Sequence, residues 1–119
     1  MLKILDILTQ HWLPAVLFTL TIITVLSLLP LSELPEVPGG DKSHHIFAYA
    51  LLIFPLGLRK PKNWLWIALF FLCWSGAIEL LQPLVNRYAD WLDLLANGFG
   101  LLCGFSAAHF FRHHRASSL

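Results

Sequence analysis

Acidic and basic residues occupy opposite ends of the apolar segments of this chain. Taken as four helices in series, the segments put Lys3, Arg59, Lys60, Lys62, Arg112 and Arg115 at one set of ends. Glu33, Glu36, Asp41, Glu79, Asp90 and Asp93 fall at the other. Loops rich in Lys and Arg stay on the cytoplasmic side of a membrane. The basic ends are therefore expected inside and the acidic ends outside. Almost every residue capable of chemistry gathers at the acidic face: Asp41, Lys42, His45, Tyr49, Glu79, Gln82, Arg87, Asp90, Asp93 and Asn97.

Composition agrees with a bilayer setting. Apolar residues make up 57% of the 119 and mean hydropathy is +0.68, well above ordinary soluble usage. A soluble core of one small domain could not hide so much apolar surface. The net charge of +1 conceals the sidedness and says nothing of partners. No basic stripe or nucleic-acid motif is present. Cys73 and Cys103 lie inside apolar runs and read as small buried hydrophobes, neither a disulfide nor a metal site.

The first uncharged run extends from His11 to Ser32, long enough for a hydrocarbon core that needs about 20 residues. Trp12 is expected to anchor its inner end, with Pro30 and Pro35 closing it. Ser27-Leu28-Leu29-Pro30-Leu31-Ser32-Glu33 offers no A-x-A cleavage pattern and Asp6 accompanies Lys3, so the run reads as a retained helix rather than a signal peptide. Prolines and paired glycines at 34–40 make an outer loop. The second run, Ser43 to Leu58, is short for a span, with Asp41 or Ser43 as its N-cap and an expected kink at Pro55. The tight basic loop Arg59-Lys60-Pro61-Lys62-Asn63 makes the second and third helices antiparallel neighbours. The third run begins at Trp64 and ends near Leu81, with Pro83 terminating the helix, and the fourth runs from Trp91 to Phe111 ahead of a basic tail. The expectation is a single-domain, all-α integral membrane bundle of four transmembrane helices at about 11–32, 43–58, 64–82 and 91–111. Both termini would be cytoplasmic.

Spacing sorts the candidate residues onto faces. Asp41, His45 and Tyr49 are four apart and share one face of the second helix. Asp41 at a helix start is favoured by the dipole, and His45 one turn on could take a charge from it. Asp41 and Lys42 also read as a cap and a snorkelling anchor. His44 reads as an interfacial residue without a specific role. Glu79 and Gln82 share a face of the third helix. A carboxylate in an apolar run is costly unless it faces the bundle interior or a wet cavity, so Glu79 stands out. Its alternative reading is a structural ion pair with Lys42 or Arg87. On the fourth helix Asp93, Asn97, Gly100 and Gly104 form one stripe, whose glycine pair permits close helix contact. Asp93 also reads as a cap and Asn97 as interhelical glue. Arg87, three before Asp90, is a natural carboxylate or phosphate partner. Ser75-Gly76 reads as helix packing. His109, His113 and His114 with Arg112 read as a tail on anionic lipid heads rather than a metal site.

In order, Asp41-Lys42-x-x-His45-x-x-x-Tyr49-x-x-Leu52, Glu79-x-x-Gln82, Arg87-x-x-Asp90-x-x-Asp93 and Asn97-x-x-Gly100-x-x-x-Gly104 resemble the motif of the VanZ-like family, named for a teicoplanin-resistance protein. The resemblance covers roughly Gly39 to Phe111. It implies a small multi-pass protein of the bacterial cytoplasmic membrane with about four helices and these residues as its signature. It implies no defined reaction, and carrying antibiotic resistance over to this chain is analogy.

Three functions compete. The first is binding of an anionic envelope lipid or lipid-linked cell-wall precursor at the outer face, with a possible effect on teicoplanin susceptibility. Arg87, Lys42 and His45 would hold the anion; Glu79, Asp90 and Asp93 would orient those bases or contact sugar or amine groups. The second is a membrane-embedded enzyme on a lipid or cell-wall substrate. His45 oriented by Asp41 would be the base and Glu79 the acid. A metal held by His45 with Asp90, Asp93 or Glu79 is a variant, against which no tight ligand signature is present. The third is a structural lock whose function lies in a homo-oligomer or a membrane protein partner. The first is preferred, without cofactor, metal or nucleic acid.

Overall fold

The computed structural model describes residues 2–29, 41–85 and 91–118, with side-chain surroundings for 3–29, 43–84 and 91–113. Its elements are α1 (Leu2–Gln10), α2 (Trp12–Leu28), α3 (Asp41–Arg59), α4 (Trp64–Leu81), a 3-10 turn (Gln82–Val85) and α5 (Trp91–Ser118). No strand occurs among the described residues. The all-helical expectation holds.

The first segment departs from the expected single helix at 11–32. α1 and α2 meet at His11 with an 82° bend. Pro14 supplies the cause. It has no N–H for the Gln10 carbonyl four residues back, and its ring clashes with that carbonyl. The ladder resumes as Ala15 N donates to the His11 carbonyl at 3.1 Å. Beyond the bend, the threonines of α2 satisfy their own hydroxyls. Thr19, Thr21 and Thr24 each donate to the carbonyl four residues back at 2.8–2.9 Å, which lets them sit in an apolar helix.

α1 turns across the basic end of the bundle. Leu5 is buried with Leu58 and Ala108, ringed by Leu8, Phe54 and Phe111. Ile4 and Ile7 are exposed. Trp12, expected as an interfacial anchor, packs instead against the main core of Val16, Ile23, Tyr49, Leu52, Ile53, Leu56, Phe71 and Leu101. Trp66 and Trp91, at opposite ends of the bundle, are the tryptophans most exposed on its outside.

α3 is the central helix. It pairs most extensively with α5, then with α2, and its far end is covered by α1. It begins at Asp41, so Ser43 lies inside the first turn and is not its cap. It continues through Pro55 to Arg59. The basic loop turns the chain with Lys60 at φ 47°. Lys60 N donates to the Leu56 carbonyl at 2.7 Å, closing the last turn as a left-handed residue does after a helix. The Lys60 ammonium lies 5.8 Å from the centre of the Trp64 ring, and that ring stacks on Phe105 at 4.6 Å. α3 and α4 do touch, but α4 packs more on α5.

Glycine sets the α3–α5 approach. A Cβ at Gly100 would lie 3.0 Å from the Ile46 Cα, and one at Gly104 would lie 2.7 Å from the Ala50 Cα. The stripe of Asp93, Asn97, Gly100 and Gly104 is buried along its whole length, as its spacing predicts.

Two helices are long and apolar enough to cross a membrane, Trp64–Leu84 and Trp91–His113. The bent pair α1 and α2 makes a third if it is one span. α3 does not meet the same standard because its first two turns carry Asp41, Lys42, His44 and His45. Large apolar side chains cover the outside of the bundle, among them Phe18, Leu80 and Leu102 at 68–81% exposure. A water-soluble monomer does not present a surface of this kind. Cys73 and Cys103 correct the reading of them as buried: both are free thiols on that exposed outside. They lie off the buried stripes of their helices, which run through Phe71, Ser75 and Ile78 in α4 and Gly100, Gly104 and Ala108 in α5.

Candidate functional site

The buried polar residues of the described chain are Ser75, Glu79, Gln82, Asp93 and Asn97. All belong to the last two turns of α4, the 3-10 turn after it, or the first two turns of α5. That end also holds the start of α3, with His45 partly buried and Tyr49 fully so. At 1.5 Å of rise per residue, His45 lies about 6 Å below the start of α3, Ser75 and Asn97 about 9 Å from their helix ends, and Tyr49 about 12 Å down. Beneath Tyr49 the core is Leu52, Ile53, Leu56 and Phe71, and no buried polar side chain lies there among the described residues.

Helical spacing delivers each group to the same interior. His45 and Tyr49 are one turn apart on α3. Ser75, Glu79 and Gln82 follow 4-3 spacing on α4. Asp93 and Asn97 are one turn apart on α5. Gln82 ties the site to α2, its Nε2 donating to the Ser27 carbonyl at 3.1 Å. A second tie lies on the outside, where the Trp74 indole N–H donates to Thr24 Oγ1 at 2.9 Å.

The centre is a chain of contacts across three helices. His45 Nδ1 lies 2.9 Å from Asn97 Oδ1. Asn97 Nδ2 donates to Ser75 Oγ. Tyr49 is buried one turn below His45 on α3. On its other side His45 Nε2 lies 3.7 Å from Asp93 Oδ2. That is ion-pair range and too long for a direct hydrogen bond. Glu79, His45 and Asp93 each have further interactions beyond these. Gln82 Oε1 is buried with no hydrogen-bond partner among the described residues, a position that normally costs about 1–3 kcal/mol.

The ten residues singled out from sequence therefore divide in two. His45, Tyr49, Glu79, Gln82, Asp93 and Asn97 converge at one end. The side chains of Asp41 and Lys42, and the whole of Arg87 and Asp90, lie outside the described residues. So does the expected orientation of His45 by Asp41; the observed neighbours of His45 are Asn97 and Asp93. Among the described residues no three His, Cys, Asp or Glu converge as a metal site. At the basic end, the rings of His109 and His113 stack at 6.4 Å.

Ser75 is the member that sequence reasoning assigns to packing. It is fully buried and accepts a hydrogen bond from Asn97 across the α4–α5 contact. A signal for it exists: it stands four residues before Glu79 and seven before Gln82, on the one polar stripe of an apolar helix. The part played by the Ser27 carbonyl has no such signal, because every residue carries one.

The VanZ/LLP1 family model matches residues 5–112. It takes in most of α1 as well as the segments that carry the motif resemblance. No curated protein and no solved structure matches the chain.

Proposed function

The chain belongs to the VanZ/LLP1 family, and from that premise we propose that it binds the head group of an anionic envelope lipid or lipid-linked cell-wall precursor at its acidic end. The setting is the bacterial cytoplasmic membrane, crossed four times with both termini inside. In this topology α1 lies along the inner surface. α2, α3, α4 and α5 cross, with α3 tolerated because its neighbours shield it from lipid. An influence on teicoplanin susceptibility belongs to the same proposal and would follow from holding a precursor.

The observation that carries the reading is the one-sided burial of Ser75, Glu79, Gln82, Asp93 and Asn97. Polar groups at membrane depth are costly and mark ligand sites or relays. The orphan Gln82 acceptor asks for an O–H or N–H, which a sugar or amine in the head group supplies. Lys42 and Arg87 are the cations assigned to its phosphate.

Native mass spectrometry of the protein released from its own membrane tests this, alongside Arg87→Ala and Glu79→Gln. A retained phospholipid or polyprenyl-phosphate species, lost in both folded variants, is the expected result. Folded wild-type protein that carries no specific lipid would overturn it.

An acid–base enzyme is the second reading, favoured by the placement of His45 beside Asp93. Yet both ring nitrogens are engaged, at 2.9 Å and 3.7 Å. His45 would have to release Asp93 before taking a proton from a substrate, whereas binding needs no such rearrangement.

A further inference from the structure

We propose that the corner between the ends of α2 and α4 is a subsite for a primary ammonium group on the bound lipid head. The proposal rests on the head-group reading above and adds the chemistry of one part of that head.

The corner follows from the directions of the helices. Gly100 lies against Ile46 and Gly104 against Ala50, so α3 and α5 advance together and are parallel. Thr24 meets Trp74 and Ser27 meets Gln82, so α2 and α4 are parallel as well. The acidic end of the bundle therefore shows two helix C-termini side by side and two N-termini side by side. A helix ends with about half a negative charge and begins with about half a positive one. The starts of α3 and α5 form the positive half of the site; Lys42 belongs to the first turn of α3 and Arg87 precedes α5. The α2–α4 corner is the negative half.

Helix polarity alone makes no site, and Gln82 supplies what it lacks. Gln82 is 2% exposed, and its amide fits in one orientation only. The Ser27 carbonyl lies 3.1 Å away and can only accept. The atom facing it is therefore Nε2, and the buried atom with no hydrogen-bond partner among the described residues is the oxygen. That oxygen cannot donate, so the group that completes it must carry a proton. Glu79, one turn earlier on the same face and also buried, adds further acceptor oxygens. An ammonium brings three N–H donors and a positive charge, and so suits both side chains and both helix ends together. A hydroxyl brings one donor and no charge. A quaternary ammonium brings charge and no donor. Of the four seams around the bundle, the one between α2 and α4 is the most lightly packed. A head group entering there has the least packing to undo.

The test is lipid titration by native mass spectrometry of the full chain, stripped of its own lipid. The probes are four synthetic lipids with identical acyl chains. Phosphatidylethanolamine and phosphatidylcholine share a net charge but differ in N–H donors. Phosphatidylserine and phosphatidylglycerol share a net charge but differ in carrying an ammonium or hydroxyls. Each primary amine is expected to bind about ten-fold tighter than its matched lipid, the effect of one buried acceptor satisfied rather than left bare. Gln82→Met, similar in length and without the amide, should erase both differences in folded protein. Equal affinity within either pair in the wild type would overturn the subsite. So would an amine preference that survives Gln82→Met. Wild-type protein that retains an amine-free polyprenyl phosphate from its own membrane, yet prefers no amine, would keep the head-group reading and refute this one. Protein that holds no lipid at all would refute both. The wild-type series decides even if Gln82→Met fails to fold.

Discussion

Replacing Gly104 with alanine adds one methyl at the tightest part of the α3–α5 contact. That Cβ would stand 2.7 Å from both the Ala50 Cα and the Ile53 Cγ2, against about 3.4 Å for ordinary contact. The Ala50 carbonyl oxygen stands closer still, so the helices must separate locally by at least about 0.7 Å, the difference between those distances. The obstacle is backbone, which cannot swing aside as a side-chain tip would. Overpacking of this kind costs about 1–3 kcal/mol. Separation would also loosen the contact between Asn97 on α5 and His45 on α3, two turns above. Gly76→Ala is the matched control, since nothing lies within 4 Å of its added Cβ. There alanine should be neutral or stabilise the helix by up to about 1 kcal/mol. Thermal unfolding in detergent micelles compares the two. A Gly104→Ala protein as stable as the wild type, or a Gly76→Ala protein damaged equally, would refute the close-approach argument.

Other perturbations separate the remaining claims. Asn97→Ala strips partners from His45 Nδ1 and Ser75 Oγ, at about 1–3 kcal/mol for each buried group left unsatisfied; unchanged thermal stability would show that the contacts contribute nothing. Leu5→Ala, at a residue buried against Leu58 and Ala108, should destabilise by about 2–5 kcal/mol, whereas Ile4→Ala, 62% exposed, should change little; equal effects would sink the docking of α1 on the bundle. For topology, Cys73→Ala and Cys103→Ala give a thiol-free background in which Ser117→Cys should resist a membrane-impermeant thiol reagent applied to intact cells and Gly39→Cys should react. Labelling at 117 from outside would reverse the orientation.

Much of the fold is legible in the order of residues. The ends of α4 match the apolar run from Trp64 to the residue before Gln82, because charge and proline punctuate it. The α5 stripe is readable because 4-3-4 spacing can lie on one helix face only. The α1–α2 break is written in Pro14, but hydropathy outweighs it when the run is read whole. The outward-facing position of the cysteines is not legible from hydropathy, since an apolar run does not say which of its faces turns inward.

The site shows the same division. Local spacing by itself determined that His45 and Tyr49, Glu79 and Gln82, and Asp93 and Asn97 each share a face, and charge sidedness put all six at one end. Helical periodicity is a property of the chain within a few residues, so these inferences needed no partner. Which face meets which was decided only by tertiary structure. His45 reaches Asn97 across 52 positions and Asn97 reaches Ser75 across 22. Those meetings depend on how closely α5 can approach α3, which Gly100 and Gly104 set through the side chains they lack. No local pattern encodes that distance, and it is why Ser75 joins the network only once the helices are packed.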